Sequence, residues 1–321
     1  KYSYIPELNE KIAEMVAGLN SGQVFLVNQA QDFNWQDYTV HDKVHPNKAG
    51  AEKMTTVWFE ALKKVLASSE TEFSPDIVRY KTLENGDSLA LHIFKPRNMQ
   101  AGEKRPVIVY FFGGGWKLGT PLQFYRECAY YASKGMVAVS VDYRIEYLHH
   151  STPFDSFEDA KDAICWLRSH ASDYQLDPDK IAVAGGSAGG HLAAALGTIG
   201  SDEAVNYRPN LSVLYYPVVD MVSRGYGFPE IKRDFEKISP IHHVSEATPS
   251  TLILLGTKDP IVSVETIRSY QDKLLQKGVD CELHLFEGAG HPIFLYRKPL
   301  TEDYYKVRKL TDDFLKREGF L

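Results

Sequence analysis

The chain of 321 residues carries 36 Lys and Arg against 42 Asp and Glu, a net charge of −6, and 44% of it is hydrophobic. That length suits one large α/β domain plus a smaller piece, and the mild, evenly mixed acidity with no basic run excludes a nucleic-acid partner. No apolar run is long enough to span a membrane, and no signal peptide is visible, so the cellular location is left open. Three cysteines, Cys128, Cys165 and Cys281, fit neither a disulfide framework nor a metal spacing. Cys165 and Cys281 lie in apolar-rich segments, which predicts reduced, inert core thiols.

In chain order, the first region (residues 1–67) shows a helical pattern over 5–19, a strand over 24–28, a polar loop, and a helix over 51–66. This is too little to bury a core alone, so it must pack on the main domain or on another chain, a homo-oligomer contact included. The polar stretch 68–75 reads as a linker. From 76 to 321, strand patterns fall at 77–83, 89–95, 107–112, 137–142, 181–184, 211–216, 251–256 and 282–286. Asn85-Gly86-Asp87 between the first two signals a hairpin, so the sheet begins antiparallel. Helical patterns at 157–170 and 264–277 separate later strands, with Asp155 and Glu158 early in the first of them, where the helix dipole favours acids. Leu176-Asp177-Pro178-Asp179 predicts a turn before the fifth strand. Strands separated by helices predict a mostly parallel eight-stranded sheet with helices on both faces.

Gly185-Gly186-Ser187-Ala188-Gly189 reads G-x-S-x-G between the apolar run 181–184 and the small-residue helical run 191–196. Strand, sharp turn, helix is the setting in which this pattern lifts a serine hydroxyl clear of a sheet as a nucleophile. A base follows the last strand: His291, in Gly290-His291-Pro292. An acid, Asp259 in Gly256-Thr257-Lys258-Asp259-Pro260, follows the seventh strand and would hold the imidazole in the required tautomer. All three follow strand ends, the edge of an open α/β sheet where ligands bind. After the third strand, Phe112-Gly113-Gly114-Gly115-Trp116 offers unobstructed amides. Those of Gly114 and Gly115, with that of Ala188, form a candidate oxyanion hole. Trp116, Tyr143, Pro217 and Ile293 are candidate pocket residues. His191 shares a helix with Ser187, but helix packing explains it better than base catalysis. Asp280 and Glu287 are rival acids without the right placement. The pairs His149-His150 and His242-His243 lack the spacing of a metal site, and neither a metal nor a cofactor is expected.

These motifs, together with Val-Asp-Tyr-Arg at 141–144 and Asp-Pro-Asp-Lys-Ile-Ala-Val at 177–183, resemble the α/β-hydrolase superfamily, in particular its hormone-sensitive-lipase-like and acetylxylan-esterase-like carboxylesterases. The resemblance spans nearly all of 76–321 and implies an α/β-hydrolase fold with a Ser187-Asp259-His291 triad. It also implies an acyl-enzyme and small-molecule or carbohydrate ester substrates. One departure is Phe112, where the family usually has a loop-steadying His. The stretch 218–248 is short and turn-rich, a small lid that favours short acyl groups such as acetate. A peptidase or amidase, or a non-catalytic binding protein on the same fold, are the alternative readings.

Asp42-Lys43-Val44-His45-Pro46-Asn47-Lys48-Ala49-Gly50 resembles the last motif of SGNH (GDSL) hydrolases, D-x-x-H-P-N-x-x-G. There the Asp and His serve a serine near the domain's start, and no G-D-S segment in this chain matches that serine's place. The expectation is a truncated SGNH-like segment over 1–67, with Asp42 and His45 an inactive remnant, joined by 68–75 to an esterase domain over 76–321.

Overall fold

Runs rich in Val, Ile and Leu, closed at both ends by turn residues, form an eight-stranded sheet in the computed structural model. It describes residues 11–12, 27, 34–40, 45–70, 74–97, 99–100, 102–200, 207–221, 234–295 and 300–321. The chain divides into two compact units, Lys1–Ser74 and Pro75–Leu321.

The first unit contains the helices α1 (Trp35–Tyr38) and α2 (Lys48–Glu70), with a bridge between Thr39 and Pro46. Asn47 begins α2. Its Oδ1 accepts from the Gly50 amide at 2.9 Å, and its Nδ2 donates to the Asp37 carbonyl at 2.8 Å. This is an N-cap, and it starts the helix three residues before the expected 51. A Cβ on Gly50 would lie 2.0 Å from the Tyr38 carbonyl oxygen, so the motif's last glycine is needed for close approach. The helix also runs through Ser68–Glu70, part of the expected linker. Serines are weak helix formers, but no Gly or Pro interrupts the chain before Pro75. His45 is exposed. Asp42 and the expected strand over 24–28, residue 27 apart, lie outside the described residues, as does the helix over 5–19 except its helical residues 11–12.

In the second unit the strands are β1 (Asp76–Thr82), β2 (Ser88–Phe94), β3 (Arg105–Phe111), β4 (Val137–Val141), β5 (Leu176–Gly186), β6 (Leu211–Tyr215), β7 (Ser250–Gly256) and β8 (Cys281–Phe286). All eight expected strands are present. Their order is β1-β2-β4-β3-β5-β6-β7-β8. β2 is antiparallel to both neighbours, and from β4 onward every pairing is parallel. The β1–β2 turn holds Gly86 at φ +88°, as the Asn-Gly-Asp signal requires. The tripeptide Gly86-Asp87-Ser88 is thus a hairpin element, downstream of the Asp42–His45 motif. Pro178 corrects one expectation, because β5 already begins at Leu176. Leu176 pairs with Arg105 and Ile181 with Val107, so the residues between bulge out of the ladder. Asp179 N donates to Asp177 Oδ1 there, so the turn chemistry is accommodated inside the strand.

The helices are α3 (Tyr125–Ser133), α4 (Glu146–His149), α5 (Pro153–Ser169), α6 (Ala171–Tyr174), α7 (Ala188–Thr198), α8 (Phe235–Ile238), α9 (Val264–Gln276) and α10 (Glu302–Arg317). The connection β3 to β4 moves one way along the sheet; β4 to β5 jumps back over β3 and the chain then continues in that direction to β8. Right-handed crossovers in opposite directions put α3 on one face and α5, α7 and α9 on the other. β4 and β6 are buried throughout and β3 from Val107 onward, which is why they read as continuous apolar runs. This is the α/β-hydrolase fold.

A buried carboxylate ties the antiparallel edge to the parallel core. Asp159 on α5 has no exposed side-chain surface; it accepts from Lys81 Nζ at 2.6 Å and from Arg144 Nε and Nη2 at 2.8 and 2.9 Å. Its neighbour Asp142 has the Tyr143 amide as a hydrogen-bond partner. Burial pushes the Asp142 carboxyl up to about 6, against the opposing Tyr143 amide, and Asp159 adds to the rise. A raised carboxyl stabilises the fold only while it is protonated, and the benefit is lost as pH climbs through its folded value. Asp142→Asn is therefore expected to be more stable than the parent at pH 8, by at most about 3 kcal/mol from the size of the shift. Urea denaturation at pH 8 and pH 4 checks this; a difference that does not shrink at pH 4 would contradict it.

Candidate active site

Ser187 stands between β5 and α7 at φ +55°, a conformation that non-glycine residues rarely adopt. Its amide donates to the Tyr215 carbonyl at 3.0 Å, and its own carbonyl accepts from the His191 amide at 2.9 Å. The glycines beside it leave the required space. A Cβ on Gly185 would lie 2.3 Å from the Gly189 oxygen, and one on Gly189 would lie 2.0 Å from the Phe111 oxygen. Backbone thus packs on backbone around the turn, and the hydroxyl is left at the strand end.

Ser187 Oγ donates to His291 Nε2 at 2.8 Å, and His291 Nδ1 donates to Asp259 Oδ2 at 2.6 Å. Asp259 Oδ1 accepts from the amides of Ile261 and Val262 at 2.8 and 2.9 Å. Burial alone would push this carboxyl up, but the His291 bond and the two amides outweigh it and hold its pKa below the usual carboxylate value. The carboxyl is therefore ionised at neutral pH, the state in which it can hold an imidazolium. Lys258 N donates to the Ala289 carbonyl at 2.9 Å, and Gly288 N to Thr257 Oγ1 at 2.8 Å, so the acid's loop and the histidine's loop are laced together.

The glycine loop after β3 has two supports that no sequence pattern signalled. Gly113 N donates to Gln123 Oε1 at 2.6 Å, and Tyr143 Oη donates to the Phe112 carbonyl at 2.6 Å. The Phe112 and Tyr143 rings stack at 4.0 Å. Stacking and the Gln123 side chain brace the loop where a histidine was expected. Gly114 and Gly115 both have positive φ, and among the described residues nothing accepts from their amides or from that of Ala188. A Cβ on Gly113 would lie 3.4 Å from Ser187 Cβ, so the loop borders the serine.

The candidate pocket residues are all buried. Tyr143 braces the glycine loop as described. Trp116 meets the His191 ring edge to face at 5.1 Å. Pro217 abuts Gly190, and Ile293 donates its amide to the His291 carbonyl at 3.0 Å. His191 is fully buried and donates from Nε2 to the Ile238 carbonyl at 2.7 Å. Burial pushes its pKa down to about 4, so it packs as a neutral ring. Of the rival acids, Asp280 pairs with Arg317, and Glu287 is exposed. His149 and His243 are engaged by backbone groups, and among the described residues no cluster of His, Cys, Asp or Glu is arranged to hold a metal. Cys128 and Cys281 are buried; Cys165 is half-buried rather than core, and burial pushes all three thiols up. Among the described residues no helix is long and apolar enough to cross a membrane.

Residues 91–223 match the BD-FAE family model. The chain is 28% identical to "Probable carboxylic ester hydrolase LipM" of Mycobacterium tuberculosis over 60% of its own length and 50% of LipM. It is 30% identical to the esterase LipC of the same organism over 63% of its own length and 56% of LipC. It thus spans about half the length of these curated relatives. The solved structure of the esterase Est2 from Thermogutta terrifontis superposes with a TM-score of 0.72 at 37% identity, over 77% of this chain and 93% of that one. The chain belongs to the α/β-hydrolase esterase family.

One glycine outside the serine motif is required by the same geometry. A Cβ on Gly256, at the end of β7, would lie 2.3 Å from the Ala289 oxygen and 2.5 Å from the Gly290 oxygen. Gly256→Ala must push the histidine loop away from the acid. An ångström of misplacement costs on the order of a hundredfold in rate, and that loss is expected in p-nitrophenyl acetate turnover. Parental turnover would show that the loop is not held by this contact.

Proposed function

We propose that the second unit is a serine carboxylesterase acting on short acyl esters, with acetyl esters of carbohydrates among its substrates. The observation that carries the reading is the continuous relay from Ser187 through His291 to Asp259, at 2.8 and 2.6 Å. Ser187 Oγ attacks the ester carbonyl while His291 Nε2 takes its proton. The charge that develops on the carbonyl oxygen is met by the amides of Gly114, Gly115 and Ala188. His291, held by ionised Asp259, then returns the proton to the leaving alcohol. Water enters by the same base and releases the acid from Ser187.

Short acyl groups are supported by kinship. Est2 has been solved with propionate bound and with butyrate bound, at 37% and 36% identity to this chain. An acetylxylan esterase of Xylanibacter ruminicola is 25% identical over 60% of this chain and 42% of that protein. The described parts of the expected lid are bonded to one another, and the Ile238 carbonyl ties them to His191 of α7. Met221 N donates to Ser239 Oγ at 2.8 Å and Ile241 N to the Val219 carbonyl at 3.0 Å, while 222–233 lie outside the described residues. A second reading, an amidase, rests on 28% identity to the acylamino-acid-releasing enzyme of Arabidopsis thaliana, of which this chain covers 30%.

For the first unit we propose an SGNH-like remnant with no activity of its own. Its support is the structural task of the motif's Asn47 and Gly50, which cap and seat α2.

A panel of p-nitrophenyl esters from acetate to octanoate, acetylated xylan and an aminoacyl anilide tests these assignments. kcat/KM is expected to be highest at two to four acyl carbons, with the anilide inert. Ser187→Ala should lower turnover on the order of ten-thousandfold or more, as loss of a serine nucleophile does. A flat chain-length profile would overturn the acyl preference. Turnover that survives Ser187→Ala would move the chemistry elsewhere, the first unit included.

A further inference from the structure

Three non-glycine residues at the strand ends around the site hold positive φ: Trp116 at +60°, Ser187 at +55° and Tyr216 at +40°. For Ser187 the conformation belongs to the elbow. For a residue as bulky as tyrosine it is an outlier that persists only where the surroundings over-determine it, and such outliers cluster at functional sites. The surroundings here are specific. Tyr216 N donates to the Leu254 carbonyl at 2.7 Å, while the preceding carbonyl, of Tyr215, accepts from Ser187 N at 3.0 Å. The following residue, Pro217, has its Cα 3.0 Å from where a Cβ on Gly190 would lie. Residues 215–217 therefore wrap the elbow, and the backbone at 216 bends out of the extended region to do so.

The bend has a consequence for the side chain. A Cβ on Gly186 would lie 2.7 Å from Tyr216 Oη, 2.9 Å from Cζ and 3.0 Å from Cε2. The ring thus occupies the space that any side chain at position 186 would need. It also meets the His291 ring at 4.8 Å between centroids, tilted by 62°. Tyr216 is 4% exposed, so the ring is a wedge packed between the strand end and the imidazole.

We propose that Tyr216 is a positioning residue for His291, seated by the absence of a side chain at Gly186. The proposal rests on the triad reading above. In the free enzyme the imidazole is held at both ends, by Ser187 Oγ and by Asp259. Once Ser187 Oγ is acylated it has no proton to donate, and the Nε2 end is released. The Asp259 bond and the Tyr216 ring then keep the imidazole aimed at the incoming water. Deacylation is accordingly the step that depends most on Tyr216.

The test compares Tyr216→Leu, Tyr216→Phe and Gly186→Ala in steady-state and burst kinetics on p-nitrophenyl acetate. Tyr216→Leu is expected to lose tenfold to a hundredfold in kcat, the scale of a misplaced catalytic group. Its burst should persist, since acylation still has both hydrogen bonds to align the base. Tyr216→Phe keeps the ring and should recover kcat to within about threefold of the parent on the same positional argument. Gly186→Ala keeps Tyr216 but crowds its ring, and should lower kcat in the same sense as Tyr216→Leu. This variant and Tyr216→Phe decide the matter if Tyr216→Leu does not fold. Parental kcat in folded Tyr216→Leu or in Gly186→Ala would overturn the proposal, as would equal losses in the Leu and Phe variants. Turnover that survives Ser187→Ala would instead sink the triad reading beneath it.

Discussion

A serine backbone can sit at φ +55° only where nothing crowds it, and the site depends on that constraint. Gly185 and Gly189 give up their side chains so that α7 can start directly against the β3 backbone, with no room for a single Cβ at either position. The close approach aligns three strand ends. β3 delivers the glycine loop beside Ser187, β6 supplies the carbonyl that holds the Ser187 amide, and β5 ends at Gly186, directly before the serine. The order of strands, with β3 between β4 and β5, makes this meeting possible, because it places the glycine loop and Ser187 after adjacent strands.

The same economy recurs at Asp259 and His291. Asp259 and His291 are 32 residues apart and follow adjacent parallel strands, β7 and β8. Gly256 lets the two loops touch, and hydrogen bonds from Lys258 and Gly288 lock them. Ionised Asp259 then faces one nitrogen of a single imidazole while Ser187 faces the other. A negative charge is thus held against the imidazole by a side chain with no exposed surface.

The strands were legible because each is a continuous or alternating apolar run closed by turn residues, and the hydrogen-bonded grouping of Ser187, His291 and Asp259 because each of them follows such a run. Pairing order was not legible, since nothing in the β3 or β4 sequence states that the chain will return past β3 to place β5 on its far side. Pro178 was read as a turn because local chemistry favours one; long-range pairing of Leu176 with Arg105 absorbed that turn as a bulge. Gln123 and Tyr216 were missed for a related reason. Gln123 lies in the short segment after Thr120 and carries no periodic signal, and its role exists only once the chain folds back to Gly113. Tyr216 looks like one more strand aromatic until its backbone conformation is known. In the first unit, Asn47 and Gly50 were read for the enzyme motif they resemble, whereas the structure shows the helix cap they form.

The central claim is that Ser187 is the one reacting atom and that His291 activates it. Peptide mapping by mass spectrometry after brief exposure to a fluorophosphonate reads this directly, in the parent and in His291→Asn. The account predicts a single adduct on the peptide that carries Ser187 in the parent, and a sharply slower adduct in the variant. An adduct on any other residue, or equal labelling of both proteins, would contradict it.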